Sequence, residues 1–502
     1  MKKTSLFKIS MPEQKSELIW FVLIALLFVY PLIHADIYYR DDLTRVVQGS
    51  FVWDSLGRNL ASYITAILSG SGISMAGQKF TLVDIAPLSQ IFSGLFLGLT
   101  AYVFNEYLKI QMGKGIFWAA LLIALNPFFI SNVLYRFDSS AMTLSILLTV
   151  LAFCHASFFN RSAIITPLLL IAVLFMYQPM ANIFIGLIGI ELFILSTKCS
   201  VSVLFKTFVV RSAQFISSYI AYFILIQLFF NVSARSELVS LDYSGFINVI
   251  DNFMSYAYEA KSFLHYSLKV PVLLFLLITV ISFFMCLWRT KDKLKFCCIS
   301  VVCIVIIFLS LSGPLVILKE PLIDYRVISS FYLFFIFGVI ICGMSNPKLA
   351  LVGIIPAIIA INISYQAGLA LKNQRDFDEN LFTFIQKDLL DHNIIDTDIY
   401  ILGSAQEAPH AKIANNKNKL IKKINRPAVG FLAAGLLREK GVENVQYLFS
   451  NKLRAMKDVF KQDLCDLEPQ ELANNSMYSI YVSNNNAYIL LSTNQSKYCS
   501  DK

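Results

Sequence analysis

The chain has 502 residues, of which 57% are hydrophobic and only 15% are charged. A soluble globular protein carries about 25% charged residues, so this composition excludes an ordinary soluble protein. The formal net charge of +9 does not arise from a basic patch interleaved with aromatic residues, which argues against a nucleic-acid-binding protein. The chain is therefore predicted to be a polytopic α-helical membrane protein.

Eleven apolar stretches approach the length of about 20 residues that an α-helix needs to cross a bilayer. They lie at about 17–34, 87–108, 115–131, 141–159, 163–177, 180–197, 212–231, 270–288, 296–313, 327–344 and 349–370. No small-residue cleavage site follows the first stretch, so it is interpreted as a retained span rather than a signal peptide. The fifth and sixth stretches meet at Tyr177-Gln178-Pro179, which predicts either a tight turn near the membrane surface or a re-entrant break.

The basic residues orient these spans, because cytoplasmic segments are enriched in Lys and Arg. With the N-terminus in the cytoplasm, fifteen basic residues fall in inside segments and ten in the outside loops that precede the tail. The inside loop from Arg289 to Lys295 is strongly basic, whereas several outside bases adjoin carboxylates. An odd number of spans then places the C-terminal tail outside.

The chain is predicted to have three parts. These are a cytoplasmic N-terminus at 1–16, a transmembrane domain at 17–370 with outside loops at 35–86, 232–269 and 314–326, and an outside domain at 371–502. The loop at 232–269 mixes aromatic and charged residues, as expected for helices that lie on the membrane interface.

The tail has the composition of a small soluble α/β domain. Its predicted elements are helices at Phe377–Leu390 and Val429–Arg438, a strand at Ile399–Gly403, and a hairpin made of Tyr478–Val482 and Ala487–Leu491. Cys465 and Cys499 are the two cysteines of this polar tail. In an oxidising compartment they are expected to form a disulfide bond, and two free thiols are the alternative.

The acidic-basic run Asp41-Asp42-Leu43-Thr44-Arg45 lies just outside the first span. A carboxylate beside a membrane and next to a second carboxylate has surroundings suited to a general base. One of Asp41 and Asp42 could act in this way while the other orients Arg45 or an acceptor. The alternative is a solvated loop with ordinary charges.

Two further outside segments carry charges at the surface of the membrane domain. Tyr135-Arg136-Phe137-Asp138 combines an arginine suited to bidentate phosphate binding with a carboxylate that could instead pair with it locally. Lys319, Asp324 and Arg326 lie just outside a span, where they suit the phosphate of a membrane lipid. The alternative for this loop is general attraction to anionic headgroups.

The polar interruption from Tyr177 to Asn182 offers Gln178 either as a hydrogen-bonding group for a sugar or as a cap between two helices. The sequence contains no phosphate-binding Gly-rich loop, no His-Glu-x-x-His and no Cys-x-x-Cys motif. The outside Asp residues form no obvious metal cage. These absences disfavour a nucleotide-driven or zinc-dependent mechanism.

The order of these motifs resembles that of a known family. Asp41-Asp42-Leu43-Thr44-Arg45 is followed by Trp53 and Gly57-Arg58, by Asn126-Pro127 with Tyr135 to Ser139, by Tyr177-Gln178-Pro179, and by Arg326-Val327 after a Pro-containing outside loop. The order is similar to that of the serotype-converting O-antigen glucosyltransferases of the Gtr type, within the broader GT-C membrane glycosyltransferases. The resemblance covers most of the membrane part and, more loosely, the tail.

The resemblance implies an enzyme that transfers a hexose, typically glucose, from undecaprenyl phosphate to a sugar hydroxyl of O-antigen lipopolysaccharide. It implies the bacterial inner membrane as the location, with the active site and the C-terminus in the periplasm. The implied partners are the lipid-linked donor, the O-antigen acceptor, the bilayer, a flippase and a donor-synthesising glucosyltransferase. Neither a metal nor another cofactor is expected.

The resemblance also assigns roles to the candidate residues. Asp41 or Asp42 is expected to be the general base of an inverting displacement. The expected substrate-binding residues are Arg45, Arg58, Tyr135, Arg136, Asp138, Gln178, Lys319 and Arg326. The cationic residues among them would hold the lipid phosphate and stabilise its growing charge.

Two other classes of protein remain as alternatives. A transporter or flippase of a lipid-linked saccharide should show paired broken helices or charges at the bilayer midplane, whereas the charges here gather at one surface. An O-antigen polymerase or ligase would also act outside, but it normally centres on basic residues without the acidic first loop.

Overall fold

The computed structural model of the protein describes residues 11–49, 53–71, 82–158, 162–230, 237–264, 268–394, 397–447 and 456–500. Its α-helices are α1 Met11–Ala35, α2 Asp42–Gln48, α3 Asn59–Leu68, α4 Leu88–Met112, α5 Phe117–Ala124, α6 Ile130–Val133, α7 Ser139–Phe158, α8 Ser162–Tyr177, α9 Ala181–Ser196, α10 Val201–Phe229, α11 Tyr243–Phe263, α12 Lys269–Arg289, α13 Lys293–Leu309, α14 Leu333–Ser345, α15 Ile354–Asp391, α16 Pro409–Lys417, α17 Lys419–Ile424, α18 Phe431–Glu439, α19 Lys457–Lys461 and α20 Gln495–Ser500. Its strands are β1 Asp398–Gly403, β2 Gln470–Asn474, β3 Tyr478–Ser483 and β4 Asn486–Leu491. The described residues exclude the first ten residues of the predicted cytoplasmic N-terminus, residues 50–52 and 72–81 of the predicted outside loop at 35–86, and residues 232–236 and 265–267 of the loop at 232–269.

The packing of the chain divides it into two compact units. The helical unit consists of Met1–Ile33 and Phe51–Tyr365, and the α/β unit consists of His34–Ser50 and Gln366–Lys502. The α/β unit therefore includes residues 34–50 as well as the tail. The sequence-based division into 17–370 and 371–502 places residues 34–50 with the transmembrane domain instead.

Six helical segments among the described residues are long and apolar enough to cross a membrane. They are Ser16–Ala35, Leu88–Met112, Ala163–Ser196, Val201–Phe229, Lys269–Arg289 and Pro347–Asp391. Shorter apolar helices lie at Asn59–Leu68, Phe117–Val133, Ser139–His155 and Ser329–Ser345. Each of the eleven predicted apolar stretches overlaps a helical segment, although the stretch at 115–131 is interrupted at Leu125-Asn126. The number of eleven crossings stays a prediction.

The break at Tyr177-Gln178-Pro179 has a local cause. Pro179 has no N–H group to donate and therefore does not continue the hydrogen-bonding ladder of an α-helix. Helix α8 ends at Tyr177, a 3-10 turn covers Gln178–Met180, and α9 begins at Ala181. This turn places the side chain of Gln178 at a junction of helices rather than along the face of one.

Helix α11 holds the loop that precedes α14. Asn252 donates hydrogen bonds of 2.9 Å to the carbonyl oxygens of Val316 and Leu318, and the Tyr256 hydroxyl donates one of 3.3 Å to Leu322. The opposite face of α11 exposes apolar side chains at intervals of three and four residues: Tyr243, Phe246, Ile250, Met254 and Tyr258. This two-faced helix is of the kind predicted for the loop at 232–269.

The α/β unit contains a four-stranded sheet with the order β1-β4-β3-β2. β1 is parallel to β4, and the other neighbouring strands are antiparallel. The β3–β4 hairpin turns at Asn484 and Asn485, which both have positive φ angles, of 48° and 59°. A two-residue turn with two left-handed residues matches the twist of the flanking strands, and asparagine tolerates that conformation. The predicted strand and hairpin of the tail are thus confirmed.

Both faces of the sheet are covered, because alternate residues of a strand point to opposite sides. Ile399 and Ile401 of β1 enter a core that also contains apolar residues of α15 and α18. Tyr400 and Leu402 enter a second core with Phe460 of α19. The predicted helices of the tail are confirmed within α15 and α18.

Residues 34–50 are tied to the α/β unit by packing and by hydrogen bonds. A Cβ atom at Gly435 of α18 would lie 2.6 Å from the Leu43 side chain, so α2 approaches α18 closely at that glycine. Arg375 of α15 donates to the carbonyl oxygens of Ala35 and Asp36, at 3.2 and 2.7 Å. The acidic-basic run therefore rests on the folded tail.

Cys465 and Cys499 are joined by a disulfide bond, with a sequence separation of 34 residues. A bond that closes a loop of this length restricts the unfolded chain and contributes roughly 3–4 kcal/mol. We expect the double variant Cys465→Ser/Cys499→Ser to lower the free energy of unfolding of the α/β unit by about that amount, measured by hydrogen exchange of β3 and β4. Cys298→Ser, which replaces an exposed free cysteine, should leave the exchange unchanged. Equal protection in the double variant and the wild type would contradict the expectation.

Candidate active site

A cavity of about 570 Å³ lies within the helical unit. Its walls come from Leu56 and Arg58, from Gln178-Pro179, from α10, from Tyr256 of α11 and from the loop between Pro314 and Val327. The volume falls in the range of about 300–1,000 Å³ that small-molecule sites occupy. The cavity therefore brings together all three sequence-predicted outside loops and the helix break after α8.

One wall of the cavity is polar and is centred on Arg58. The preceding residue, Gly57, has a φ of 72°, a left-handed conformation that favours glycine, and it ends the 3-10 turn Asp54–Leu56. Arg58 donates a 2.9 Å hydrogen bond through Nε to Oε1 of Gln178, and its guanidinium lies 4.6 Å from the centre of the Tyr177 ring. Among the residues that the structure describes, neither Nη group of Arg58 has a hydrogen-bond partner.

The side chain of Gln178 is fully used inside the protein. Its Nε2 donates to the Leu56 carbonyl at 3.0 Å and to the Tyr222 hydroxyl at 2.9 Å, while its oxygen accepts from Arg58. The Tyr222 hydroxyl in turn donates to the carbonyl of Gly57 at 3.1 Å. An amide nitrogen has two hydrogens to donate, so Gln178 positions Arg58 and has no N–H left for a ligand.

Arg326 is the second basic residue that lines this cavity. Asp324 precedes it and accepts a hydrogen bond from the Arg326 backbone, which fixes the 3-10 turn at Tyr325–Val327. Nη1 of Arg326 donates to the Tyr135 hydroxyl at 2.5 Å, and the guanidinium lies 5.3 Å from the centre of that ring. Tyr135 thus holds Arg326 as Gln178 holds Arg58.

The two guanidinium groups influence each other. Burial lowers the pKa of Arg58 from its usual value, the Tyr177 hydroxyl raises it, the charge of Arg326 lowers it, and the charge of Asp138 raises it. A guanidinium stays charged at neutral pH even when its pKa falls somewhat. Two like charges beside one cavity attract an anion, and two planar forks suit phosphate oxygens.

The wall of the cavity that α10 forms is mainly apolar. The α10 side chains on this wall recur at intervals of three and four residues: Tyr219, Tyr222, Phe223, Ile226 and Gln227. Phe223 is 52% exposed, and Ile317 of the facing loop is 44% exposed. The apolar wall therefore continues onto the outer surface of a helix that is long enough to cross a membrane.

Asp138 is buried and accepts a 3.0 Å hydrogen bond from the indole nitrogen of Trp53. It directly precedes α7, where a negative charge interacts favourably with the helix N-terminus. Asp138 thus links the Trp53 segment to α7 and supplies a negative charge close to Arg58.

Arg136 and Lys319 form ion pairs and do not line the cavity. Nε of Arg136 lies 2.7 Å from a carboxylate oxygen of Asp84. Lys319 pairs with Glu237 at 2.9 Å on the exposed surface. The structure therefore brings Arg58, Gln178 and Arg326 together at one cavity, with Tyr135 and Asp138 beside them, whereas Arg136 and Lys319 have carboxylate partners elsewhere.

Asp41, Asp42 and Arg45 belong to the α/β unit. Arg45 forms an ion pair with Asp41, and its Nη1 lies 3.4 Å from Oδ1 of Asp42. The side chain of Asp42 is fully buried, whereas that of Asp41 is 49% exposed. Arg45 therefore joins the two carboxylates, and only Asp41 is open to an approaching molecule.

Sequence reasoning missed Tyr222 and Glu320 as members of this cavity, and it noted Tyr177 only as part of the Tyr177-Gln178-Pro179 motif. Tyrosines are frequent in the chain, so no single one stands out without the fold. The helical spacing of the α10 side chains was a usable signal, because it predicts that Tyr219 and Tyr222 share a face with Ile226. Within the described residues, no group of three or more His, Cys, Asp or Glu side chains is arranged to hold a metal ion.

Comparison with known proteins gives the family. The family model described as glucosyl transferase GtrII matches residues 30–342, and it confirms the resemblance that the order of motifs indicates. A protein of Salmonella phage P22, described as an uncharacterised 55.3 kDa protein in the gtrB 5' region, is 29% identical over 247 residues. The match covers 47% of this chain and 48% of the phage protein, so the chain spans about half the length of this curated relative. No solved structure matches the chain. Because the family model covers more than half of the sequence, the chain belongs to the GtrII glucosyl transferase family.

Proposed function

We propose that this protein is a membrane glycosyltransferase that moves a hexose, glucose in the simplest case, from undecaprenyl phosphate to a hydroxyl group of an O-antigen sugar. The observation that carries the proposal is a cavity whose lining combines two arginines with apolar side chains of one helix. Such a cavity suits a ligand that combines a phosphate with a hydrocarbon chain. Family membership supports the transfer of a glucosyl group.

In the proposed donor complex, the phosphate binds the Nη groups of Arg58 and the guanidinium of Arg326. Its polyprenyl chain follows the apolar face of α10 past Phe223 and Ile226. Both arginines have fixed orientations, because Gln178 and Tyr135 hold them. Fixed donors aimed at a group that gains charge need no reorganisation during the reaction.

The proposed reaction is a direct displacement at the anomeric carbon. A lone pair of the acceptor hydroxyl forms the new C–O bond while the bond to the phosphate oxygen breaks, and the electron pair of the broken bond stays on the phosphate. The anomeric centre is inverted, and the phosphate leaves as an ion that the two arginines stabilise. The hydroxyl proton passes to a carboxylate, for which Asp41 or Asp42 is proposed from the order of the family motifs.

The same proposal includes the location and the topology. We place the chain in the bacterial inner membrane with eleven spans, a cytoplasmic N-terminus, and the cavity and tail in the periplasm. A flippase and a donor-synthesising glucosyltransferase would then supply the donor. The reaction is proposed to need no metal, because the acceptor proton and the leaving phosphate both find protein groups to receive or stabilise them.

The direct test uses purified full-length protein with synthetic undecaprenyl-phosphate glucose and defined O-antigen oligosaccharides. We expect glucosylated oligosaccharide with an inverted anomeric linkage, formed equally well in the presence of EDTA. Movement of the intact donor across liposomes without any sugar transfer would replace this proposal with a transporter. Polymerisation of O-antigen units without use of the glucose donor would replace it with a polymerase or ligase.

Removal of the Tyr222 hydroxyl is expected to weaken the hold on Arg58. Tyr222→Phe leaves the Gly57 carbonyl and one Gln178 N–H without their partners, at a cost of about 1 kcal/mol for the hydrogen bonds. We therefore expect kcat/KM for undecaprenyl-phosphate glucose to fall by roughly fivefold. Tyr219→Phe is the matched control, since the Tyr219 hydroxyl on the same helix is buried without a hydrogen-bond partner in the described part of the chain. A loss of equal size in both variants would mean that the hydroxyl network does not position Arg58.

A further inference from the structure

The loop between Pro314 and Val327, which lines the cavity, contains one carboxylate, Glu320, that forms no hydrogen bond or ion pair within the described residues. The charges beside it are used: Lys319 pairs with Glu237, Asp324 caps the turn before Arg326, and Arg326 donates to Tyr135. Glu320 lines the cavity, and it forms no hydrogen bond and no ion pair with any residue that the structure describes. Its charge acts on Lys319 only at longer range.

The backbone on both sides of Glu320 is held in place. Lys319 donates its N–H to the Glu237 carbonyl at 2.9 Å, and Val239 donates to the carbonyl of Ile317 at 2.9 Å. Helix α11 binds the carbonyl groups of Val316, Leu318 and Leu322. Pro321 further restricts the conformation of the residue before it. Glu320 is therefore a free carboxylate on a fixed segment.

Glu320 is exposed, and the ligand group that suits its carboxylate is a hydrogen-bond donor without negative charge. The two arginines of the cavity are oriented by Gln178 and Tyr135 and form no ion pair with Glu320. A phosphate near Glu320 would be repelled, whereas neutral hydroxyl groups would be attracted. An ionised carboxylate has two oxygens and can accept hydrogen bonds from two neighbouring hydroxyls of one sugar ring.

We infer that Glu320 is a sugar-binding residue, whose carboxylate accepts hydrogen bonds from hydroxyl groups of a hexose bound in the cavity. The inference rests on the proposed function, which supplies the sugar as a ligand. It assigns the phosphate and the sugar to side chains of different charge. The arginines take the phosphate, and Glu320 takes a sugar ring. That ring belongs either to the donor or to the acceptor, and the two sources share the same chemistry.

The test compares Glu320→Gln and Glu320→Ala with wild-type full-length protein in nanodiscs. One arm measures binding of undecaprenyl-phosphate glucose and of undecaprenyl phosphate without sugar, and the other measures the KM of an O-antigen oligosaccharide. If the ring is that of the donor, both variants should bind the glucose-bearing lipid about tenfold more weakly and the sugar-free lipid as the wild type does. If the ring is that of the acceptor, the oligosaccharide KM should rise about tenfold while both lipids bind normally.

Glu237→Gln is the matched control. It removes another carboxylate from the same part of the chain, outside the cavity lining, and keeps the main-chain carbonyl that accepts from Lys319. Its lipid binding and oligosaccharide KM should match those of the wild type. Values within twofold of the wild type in both arms, for both Glu320 variants, would overturn the inference. If the wild type transfers no sugar but the binding difference persists, the proposed transfer reaction fails and the role of Glu320 stands.

Discussion

Arg58→Ala is expected to lower kcat/KM for hexose transfer by about 10²- to 10³-fold. The variant removes the two Nη groups that have no partner in the described structure and are proposed to bind the leaving phosphate. Loss of a single fixed donor to a developing anion commonly costs that much in rate. Initial rates with undecaprenyl-phosphate glucose and an O-antigen oligosaccharide measure it directly.

Two further variants separate charge from geometry at this position. Arg58→Lys keeps the positive charge but loses the planar fork and the Nε bond to Gln178, so we expect an intermediate loss of roughly tenfold or more. Arg136→Lys is the control, because Arg136 pairs with Asp84 and lies outside the cavity lining. An Arg58→Ala protein with activity within a few-fold of the wild type would remove Arg58 from the phosphate site.

The sequence was sufficient to locate the apolar helices, the β3–β4 hairpin and the two arginines of the cavity, Arg58 and Arg326. Apolar length locates the helices, because a helix in lipid must satisfy all its backbone groups internally and cover its length with apolar side chains. The alternation around Asn484-Asn485 locates the β3–β4 hairpin for an equally local reason. Both signals are contained in short stretches of chain.

The pairing of the candidates could not be predicted in this way. Arg58 and Gln178 are 120 residues apart in sequence, and Arg326 and Tyr135 are 191 apart. Nothing near Arg136 shows that Asp84 neutralises it while Arg326 reaches the cavity. Charge and position in a loop are local properties, whereas the choice of partner depends on how distant helices pack.

The place of residues 34–50 was hidden for a similar reason. Helix α2 has only seven residues, too few for a helical pattern to show which face is buried. Leu43 of α2 packs against Gly435 of α18, which lies almost 400 residues later in the sequence. This contact requires a residue without a side chain at position 435, and the sequence of the short helix α2 does not indicate it. The acidic-basic run was thus recognisable as a motif, but its assignment to the α/β unit was not.

The structure favours one of the two proposed bases over the other. Asp42 is fully buried, and Arg45 Nη1 lies 3.4 Å from it, so its ordinary task is to hold Arg45. Asp41 also pairs with Arg45, yet half of its side chain is accessible. A general base must come within hydrogen-bond reach of the proton it takes, and a wholly enclosed carboxylate offers no approach to an acceptor hydroxyl. We therefore propose Asp41 as the base and Asp42 as the residue that fixes Arg45.

Asp41→Asn is accordingly expected to lower kcat by about 10³-fold, with donor binding and thermal stability close to those of the wild type. General-base catalysis contributes roughly 10²- to 10⁴-fold in enzymes, and asparagine keeps the shape of the side chain without its basicity. Asp42→Asn should give a smaller loss of kcat together with a loss of about 1–2 kcal/mol in the stability of the α/β unit, because a buried hydrogen bond to a charged group is weakened. Turnover at saturating donor and acceptor, measured beside hydrogen exchange of α2, separates the two effects. A large fall in kcat for Asp42→Asn with unchanged exchange, and wild-type turnover for Asp41→Asn, would reverse the assignment.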